Sequence, residues 1–481
     1  MKNKKTLKVL LICITVYMLL SWFIVSGNFS NGDFASSSFN QFGLFDFLVA
    51  PFQLFNYFVV TMTKNIDGYV KQIGYGNIVI AFISIGILYG VLNKTGAYYK
   101  MVMDLKNKLK PKKDIFLLII ATIYCTVSAL SGLNLILFMF FPFVATILSK
   151  LKFNKMTTFT ATIGAMLIGQ IGSLYNPTIN GLNRIMFQSE LNSNIASRII
   201  LFLMLLIILL AFLYLNRNKY VKKEEEILLF ETDEKSNRSY IPIIITTLVT
   251  TIILFVCMYN WYYMFNITSV TEAYNSIMSA EVKGYNFMKN IFGISESFGY
   301  WTGFSMSALL LLDSVILSFI YNLKLDKILE GAKKGLVDML PTIFYSILSL
   351  VIIIISLNNG NSFIYSIINN IFKTAADHQI IGVFTSGLLH NFFINDYFAL
   401  LSSISNPLVT VYGYDSINLS LLITQVSHGL ISLITPFNVY LIAGLVYLEI
   451  PYTKWIKYIW KTLLIILGVV LIVLLITTKF A

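Results

Sequence analysis

Apolar residues fill long stretches of the chain, and most of these stretches match the length of a helix that crosses a lipid bilayer. Such a helix needs about 20 predominantly apolar residues. The apolar runs predict membrane-spanning helices at 6–26, 77–93, 197–216, 241–260, 300–321, 338–357 and 457–478. Amphipathic stretches at 44–63 and 322–337 are predicted to lie along the membrane surface. The pattern therefore predicts an all-α polytopic membrane protein.

Two further segments, 114–150 and 380–412, are too apolar to be loops, although each is predicted to start and end on the same side of the membrane. A re-entrant hairpin satisfies both conditions, with turns expected near 128–134 and 394–397. Non-helical backbone survives at that depth only where protein or water supplies its hydrogen bonds. The small and hydroxyl-bearing residues of the first turn suit this requirement.

A long apolar stretch with an interruption follows each predicted hairpin, at 156–190 and at 417–448. The interruptions combine glycine, proline and polar residues and lie at 169–178 and 425–438. Proline has no N–H to donate and clashes with the preceding turn, so Pro177 and Pro436 should free carbonyl groups upstream. We expect a second half-helix to begin at each proline.

The predicted elements recur in the same order in both halves of the chain. This order divides the sequence into a first inverted repeat (1–216), a cytoplasmic linker (217–240), an extra helix with an external loop (241–299) and a second inverted repeat (300–481). Paired, Gly/Pro-interrupted segments in two inverted halves are typical of the binding sites of secondary transporters. The expected function is therefore alternating-access transport of a small solute.

Composition and charge agree with a membrane location. Hydrophobic residues make up 57% of the chain and charged residues only 12%, whereas soluble proteins carry about 25% charged residues. Most of the 35 Lys and Arg residues fall in segments predicted to be cytoplasmic if the N-terminus is cytoplasmic. The net charge of +12 therefore indicates a topology in the cell membrane rather than a nucleic-acid partner.

Polar side chains at the turns and interruptions are the candidate ligands for a substrate. Freed carbonyls and hydroxyl or amide groups suit Na⁺ or a polar solute, and the N-terminus of a half-helix favours a carboxylate. The candidate substrate-binding residues are Ser131, Asn134, Gln170, Ser173, Asn176, Thr178, Asn395, Ser427, Ser432, Thr435 and Asn438.

Ionisable residues in the second half are candidates for ion coupling. Asp396 falls at the predicted second turn, where a carboxylate is costly unless it is used or paired. His390 and His428 lie in the same half, one near the predicted hairpin and one near the interruption. The alternatives are a turn that meets external water and histidines that are hydrogen-bonded core residues. Arg184 could neutralise an anionic solute or extend to the outer interface, and Asp313 could pair with a neighbouring helix.

Other classes of chemistry lack a signature. No Gly-rich phosphate loop and no pattern of a metal hydrolase or of a nucleophile with its base is present, so we expect neither ATP-driven transport nor an enzyme. No cofactor is expected beyond Na⁺ or H⁺ as coupling ion, and a metal site stays undetermined. The three cysteines lie far apart in apolar runs and are expected to be packing residues.

Several short motifs resemble the YfcC-like and DcuC-like carriers of the ion transporter superfamily. The longest runs from His428 to Trp455 and reads HGLISLITPFNVYLIAGLVYLEIPYTKW. Others occur in the same order at 22–29, 92–97, 175–177 and 329–333. The resemblance implies a carrier of amino acids, peptides or dicarboxylates, with a mobile transport domain and a scaffold domain that forms a homodimer.

The chain departs from the YfcC-like pattern at both predicted turns. The first turn has Asn134 and no acidic residue, whereas the second carries Asp396 followed by Tyr397. An Asp-Tyr pair at such a turn is similar to NhaC-like Na⁺/H⁺ antiporters of the same superfamily. Two functions therefore stay open: transport of an amino acid or carboxylate, and Na⁺/H⁺ antiport without an organic substrate.

Overall fold

A computed structural model describes residues 4–30, 33–37, 42–60, 75–217, 229–230, 238–281, 284–292, 296–359 and 362–479. This part of the chain is almost entirely helical, apart from one two-stranded ribbon. Eight of its helices are long and apolar enough to cross a membrane. The prediction of an all-α polytopic membrane protein is confirmed.

The first part of the chain contains ten α-helices. They are α1 (Lys4–Phe23), α2 (Leu44–Val60), α3 (Gly76–Lys94), α4 (Ala97–Leu109), α5 (Lys113–Ser131), α6 (Asn134–Lys150), α7 (Lys155–Phe159), α8 (Ala165–Ile171), α9 (Leu182–Phe187) and α10 (Ile195–Asn216). Short π-helical segments, Thr160–Gly164 and Pro177–Gly181, connect α7 to α8 and lead into α9.

The second part of the described chain contains a middle group and a closing series of helices. The middle group is α11 (Ile241–Met258), α12 (Trp261–Phe265), α13 (Ser269–Ser279) and α14 (Phe287–Phe292). The closing series is α15 (Gly303–Ile320), α16 (Leu325–Asn359), α17 (Phe363–Thr374), α18 (Gln379–Phe393), α19 (Tyr397–Tyr412), α20 (Ile417–Ser432), α21 (Val439–Tyr447) and α22 (Tyr452–Thr477).

Among the described residues, strands form only in the connection after α1. Strands β1 (Gly27–Ser30) and β2 (Asp33–Ser36) pair antiparallel, and Gly27 also bridges to Ser362 just before α17. The apolar pattern predicted neither this ribbon nor α17, which are too short to cross a membrane. The ribbon ties the first connection of the chain to the segment that follows α16.

The region from 322 to 357 differs from its prediction. An interfacial helix at 322–337 and a separate span at 338–357 were expected, but α16 is one continuous helix from Leu325 to Asn359. Near its start, Glu330 forms a 3.0 Å ion pair with Lys94 at the end of α3. The separation into two elements is therefore wrong.

Helices α3 and α16 cross with their backbones in direct contact. Gly86 and Gly90 of α3 lie directly against Gly335 and Gly331 of α16, and a Cβ at any of these four positions would meet backbone or side-chain atoms of the other helix. Small residues spaced four apart on both helices allow this approach. Helix α15 packs on the other side of α3, and α11 packs on α15.

Tight turns join α5 to α6 and α18 to α19, at the places where hairpins were expected. Gly132 ends α5 in the left-handed conformation (φ 63°), which glycine adopts without a steric penalty. Asp396 begins α19 as its N-cap, because Oδ1 accepts a hydrogen bond of 2.7 Å from the N–H of Ala399. The re-entrant depth of both helix pairs stays a prediction.

Both predicted interruptions are present as gaps between helices. Helix α8 ends at Ile171 and helical structure resumes at Pro177, as predicted. Helix α20 ends at Ser432 and α21 begins at Val439, so the expected start at Pro436 is wrong. We call residues 172–176 the first break and residues 433–438 the second break.

The predicted linker at 217–240 lies largely outside the described residues. Leu229 and Phe230 are described and pack onto the body of the protein: the Leu229 carbonyl accepts a hydrogen bond of 3.0 Å from Asn93 Nδ2. The Phe230 ring stacks on Tyr99 and lies beneath the Lys150 ammonium group. These two residues therefore belong to the packed structure.

Candidate functional site

The first break is held against the turn between α5 and α6. The N–H of Leu174 donates to the carbonyl of Ala129 at 2.8 Å. Gly132 approaches Asn176 so closely that a Cβ would overlap the Asn176 amide group. Ser131 bonds within its own helix, to the Val127 carbonyl at 2.7 Å. Sequence-predicted residues of the turn and of the break therefore do lie together.

Asn176 organises the start of the helix that follows the first break. Its Oδ1 accepts hydrogen bonds from the backbone N–H of Thr178 at 2.9 Å and from the Thr178 hydroxyl at 2.6 Å. Asn134 is oriented in a similar way, because its Oδ1 accepts from the Ser128 hydroxyl at 3.0 Å. Three of the predicted ligands thus have their oxygen atoms engaged within the protein.

Three other polar atoms around the first break have no partner. Gln170 Oε1, Ser173 Oγ and Asn176 Nδ2 are buried and form no hydrogen bond with any described residue. A buried polar group without a partner costs roughly 1–3 kcal/mol. An unmatched acceptor, hydroxyl and amide donor at one interrupted helix are the arrangement expected of a site that receives a polar ligand.

The second break is held against the turn between α18 and α19. Asn395 Oδ1 accepts from Asn438 Nδ2 at 2.8 Å, and Asn395 Nδ2 donates to the Ser432 hydroxyl at 3.1 Å. The Thr435 hydroxyl donates to the Phe392 carbonyl at 2.6 Å. Asn395, Ser432 and Asn438 therefore form one hydrogen-bonded group, and Thr435 ties the second break to the end of α18.

The two breaks resume their helices with the same local geometry. Asn176 has φ −79° and ψ 116°, and Asn438 has φ −80° and ψ 115°. Each side chain caps the helix that follows, Asn438 by accepting a hydrogen bond of 2.9 Å from the N–H of Leu441. The two asparagines are thus equivalent N-caps. Pro177 directly follows its cap as the first residue of the helix, whereas Pro436 lies two residues before the other cap.

The histidines of the second half lie in the core. His428 Nδ1 is 2.7 Å from Asn391 Oδ1, and Asn391 Nδ2 donates to the Gly387 carbonyl at 2.7 Å. His390 is fully buried and neither ring nitrogen has a hydrogen-bond partner among the residues that the structure describes. Ser427 donates to Thr424 within its helix. Both histidines lie in the core, but among the described residues only His428 is hydrogen-bonded, and their role in coupling stays a prediction.

Asp396 combines a structural contact with a position at the turn. Its carboxylate caps α19 through Ala399 and is also hydrogen-bonded to the Tyr75 side chain, while the residue itself is half-buried. The carboxylate is therefore neither freely solvated nor paired with a cation in the described part of the chain.

Helix α20 connects the two breaks. Gln425 donates from Nε2 to the carbonyls of Ile171 and Ser173, at 3.2 and 3.0 Å, and accepts at Oε1 from Asn180 at 3.2 Å. From Gln425 to the end of the helix at Ser432 the rise is about 10 Å. Gln425 therefore ties α20, which ends at the second break, to the first break. It was not among the predicted ligands.

Arg198 is a further residue that the sequence reading missed. It lies in the first turn of α10, is 3% exposed, and donates to the carbonyls of Leu174, Leu191 and Ser193. A single arginine in an apolar run gives little signal in the sequence, because its partners are backbone atoms. The Leu174 contact places this cation at the first break.

Arg184, which was considered as a neutralising group, lies at the periphery. Its guanidinium group donates to the carbonyls of Tyr263 and Met264 and to Asn266 Oδ1, in the segment that follows α11. Asp313 accepts a 2.6 Å hydrogen bond from Thr250 of α11, so it pairs with a neighbouring helix as suggested. Neither residue takes part in the hydrogen bonding around the breaks.

Within the described ranges, no three His, Cys, Asp or Glu side chains form a cluster that could hold a metal ion.

A membrane-embedded helical bundle with two interrupted helices, each held by a turn of a helix pair, is the architecture of a membrane transport protein. The sequence model of the DcuC family, described as C4-dicarboxylate anaerobic carrier, matches residues 4–479. The chain therefore belongs to the DcuC family of C4-dicarboxylate anaerobic carriers. It is a secondary carrier and not an enzyme, and the DcuC-like part of the resemblance is confirmed.

The comparisons with solved structures and with curated proteins do not extend this family assignment. The chain is similar to a solved structure of the Alcanivorax borkumensis YdaH transporter, described as having an unusual topology, with 11% identity, 98% of each chain covered and a TM-score of 0.40. The comparison with curated proteins yields no match.

Proposed function

We propose that the protein carries a C4-dicarboxylate across the cytoplasmic membrane by alternating access, in symport with Na⁺ or H⁺ or in exchange for a second solute. The observation that carries this proposal is the match of the C4-dicarboxylate carrier family to residues 4–479, which spans both breaks and both turns. Of the amino acids and carboxylates considered from the sequence, the proposal selects the dicarboxylates.

The geometry of the breaks supports an anionic solute. Helical structure resumes after Asn176 and after Asn438, and the positive end of a helix dipole favours carboxylates. The unpartnered donors Ser173 Oγ and Asn176 Nδ2 lie at the first of these helix starts. We propose that each carboxylate of the substrate is bound by one break.

Coupling to an ion is a second part of the proposal. Asp396 is the acidic residue at the second turn, and His390 and His428 are buried in the same half of the chain, on α18 and α20. A carboxylate is a ligand for Na⁺ and a carrier for H⁺, so we propose that Asp396 binds the coupling ion and that the histidines tune this site.

The quaternary structure and orientation belong to the same proposal. By family resemblance the carrier forms a homodimer, and by its lysine distribution it has a cytoplasmic N-terminus. Light scattering of detergent-purified protein should give twice the 54.5 kDa chain mass, and a mass of one chain would contradict the dimer.

Ligand-dependent thermal stability tests the substrate class. A ligand stabilises the state that it binds by RT ln(1 + [L]/Kd). We expect succinate, with or without Na⁺, to raise the melting temperature of purified protein, and neutral amino acids to leave it unchanged. Stabilisation by amino acids alone would overturn the dicarboxylate assignment.

The alternative function, Na⁺/H⁺ antiport, is distinguished by a separate assay. Proteoliposomes loaded with a pH-sensitive dye report exchange of Na⁺ for H⁺ when no organic solute is present. We expect no such exchange. Solute-independent exchange that Asp396→Asn abolishes would support the antiporter instead.

A further inference from the structure

The charge of Arg198 requires a physical explanation, because buried cations are rare in membrane helices. An ionised side chain at membrane depth is costly and usually marks a functional pathway. Arg198 is 3% exposed. It lies in the first turn of α10, but protein atoms cover its side chain, which therefore does not reach water as Lys or Arg side chains at helix ends commonly do.

The partners of Arg198 orient its side chain without neutralising it. All three are backbone carbonyls, of Leu174, Leu191 and Ser193. The ion pairs found within the described ranges involve Lys94, Lys155 and Arg217 instead. Within the described residues, no carboxylate therefore forms an ion pair with the guanidinium group, although Glu190 lines the same cavity.

That charge lies at the first break. Leu174, which accepts a 2.8 Å hydrogen bond from the guanidinium group, is one of the break residues. It is flanked in the chain by Ser173, whose hydroxyl has no partner, and it precedes Asn176, whose amide nitrogen has none. The unmatched groups that favour a ligand therefore lie close to a cation that forms no ion pair within the described residues.

A small polar cavity separates Arg198 from the second half of the chain. Its volume is about 20 Å³, and its lining includes Arg198, Asn418, Gln425 and the exposed Glu190, which forms no ion pair with Arg198 in the described part of the chain. Two of its buried polar atoms have no partner, Arg198 Nε and Asn418 Oδ1. A cavity of this size holds about one water molecule and not a dicarboxylate. We therefore expect a substrate carboxylate at the break to interact with the guanidinium group electrostatically and not by direct contact.

We propose that Arg198 sets the charge selectivity of the carrier, favouring solutes with two negative charges over singly charged analogues. This inference rests on the proposed function, because it assigns a residue to the preference for dicarboxylates. The Coulomb energy of a fixed cation scales with the charge of the solute and is larger in a poorly polarisable interior than in water. A dianion therefore gains more from Arg198 than a monoanion of the same shape.

The experiment compares a dianion with a monoanion of similar shape. Proteoliposomes take up radiolabelled succinate, and unlabelled succinate and monomethyl succinate compete for uptake at neutral pH. The ratio of their inhibition constants measures charge preference independently of the amount of active protein. We expect Arg198→Gln to reduce the preference for succinate about tenfold, and Arg198→Lys to retain most of it because the charge remains.

A second variant tests the charge without removing the hydrogen bonds of Arg198. Asn418→Asp introduces a carboxylate of nearly the same shape on the wall of the same cavity. It should lower the succinate preference by neutralising the cation, even if Arg198→Gln fails to fold. Arg184→Gln is the matched control, since Arg184 binds two carbonyls and one side-chain oxygen away from the breaks, and it should leave the ratio unchanged.

The outcomes separate the inference from the proposed function. An unchanged ratio in Asn418→Asp, or in a folded Arg198→Gln that lowers both affinities equally, would show that Arg198 only positions the break and would overturn the inference. No succinate uptake by the wild-type protein would overturn the proposed function itself. A reduced ratio in Arg184→Gln of the same size would also contradict the assignment to Arg198.

Discussion

At the level of single residues, the polar groups of the site fall into those that build it and those left without a partner. Asn176, Asn395 and Asn438 have oxygen atoms engaged by caps or by neighbouring side chains. Gln170 and Ser173 have buried oxygen atoms that no described residue satisfies. The sequence could indicate which residues are polar at the breaks, but it could not indicate which of their atoms stay unmatched.

The carboxylate of Asp396 has a structural and a proposed functional role, and one substitution separates them. Asparagine caps helices about as well as aspartate, so Asp396→Asn should retain the bond to Ala399 and leave the melting temperature nearly unchanged. Uptake should lose its dependence on Na⁺ or H⁺, because the charge is gone. Asp396→Ala, which loses the cap as well, should cost about 1 kcal/mol of stability. Unaltered ion dependence in Asp396→Asn would eliminate the coupling role.

Gly132 offers a test of the contact between the first turn and the first break. Gly132→Ala adds a Cβ at positive φ, which costs roughly 1–2 kcal/mol, and this Cβ overlaps Asn176. Gly413→Ala is the control, because Gly413 also has positive φ but has no atom within 4 Å of its Cβ position. We expect both variants to melt at lower temperature and only Gly132→Ala to lose uptake. Equal uptake in the two variants would show that the contact with Asn176 is not needed.

At the level of helices, the sequence was most informative where proline and glycine interrupt apolar runs. The turns lie where they were expected, because the residues that forbid a continuous helix are visible in the chain. The second interruption was expected to begin at residue 425, but α20 continues to Ser432 and only 433–438 are non-helical. The start of α21 at Val439 was missed, since Asn438 and not Pro436 supplies the cap. Helix α16 was divided wrongly because its charged first turns were taken for an interfacial face, whereas Glu330 contacts Lys94 of α3.

The crossing of α3 and α16 should depend on its glycines. Gly331→Ala places a methyl group against the backbone of Gly90, where neither helix can yield without separation. Overpacking of this kind costs about 1–3 kcal/mol, so the variant should melt at lower temperature in detergent. Gly468→Ala on α22, with open space around it, should not. Equal stability of the two variants would contradict the crossing.

At the level of the whole molecule, the inverted relation of the two halves stays a prediction. The matching torsion angles of Asn176 and Asn438, and the recurrence of a helix pair followed by a broken helix, support it. Contacts between distant parts, such as Gln425 with the first break, could not be predicted because the apolar pattern does not specify which helices are neighbours.

The proposed topology is open to a labelling test. Cysteine introduced at Glu281, which is exposed after α13, should react with a membrane-impermeant maleimide from outside intact cells. Cysteine at Lys108, which is exposed near the end of α4, should react only after the membrane is opened. The background protein has alanine at Cys13, Cys125 and Cys257. The reverse labelling pattern would contradict a cytoplasmic N-terminus.

Uptake of radiolabelled succinate into proteoliposomes tests the central claim most directly. The wild-type protein should accumulate succinate above empty liposomes, and Asn176→Ala should abolish most of this uptake while the protein still folds, because the cap at the first break and the unpartnered amide are both removed. No uptake by the wild-type protein, under any imposed gradient of Na⁺, H⁺ or internal dicarboxylate, would contradict the account.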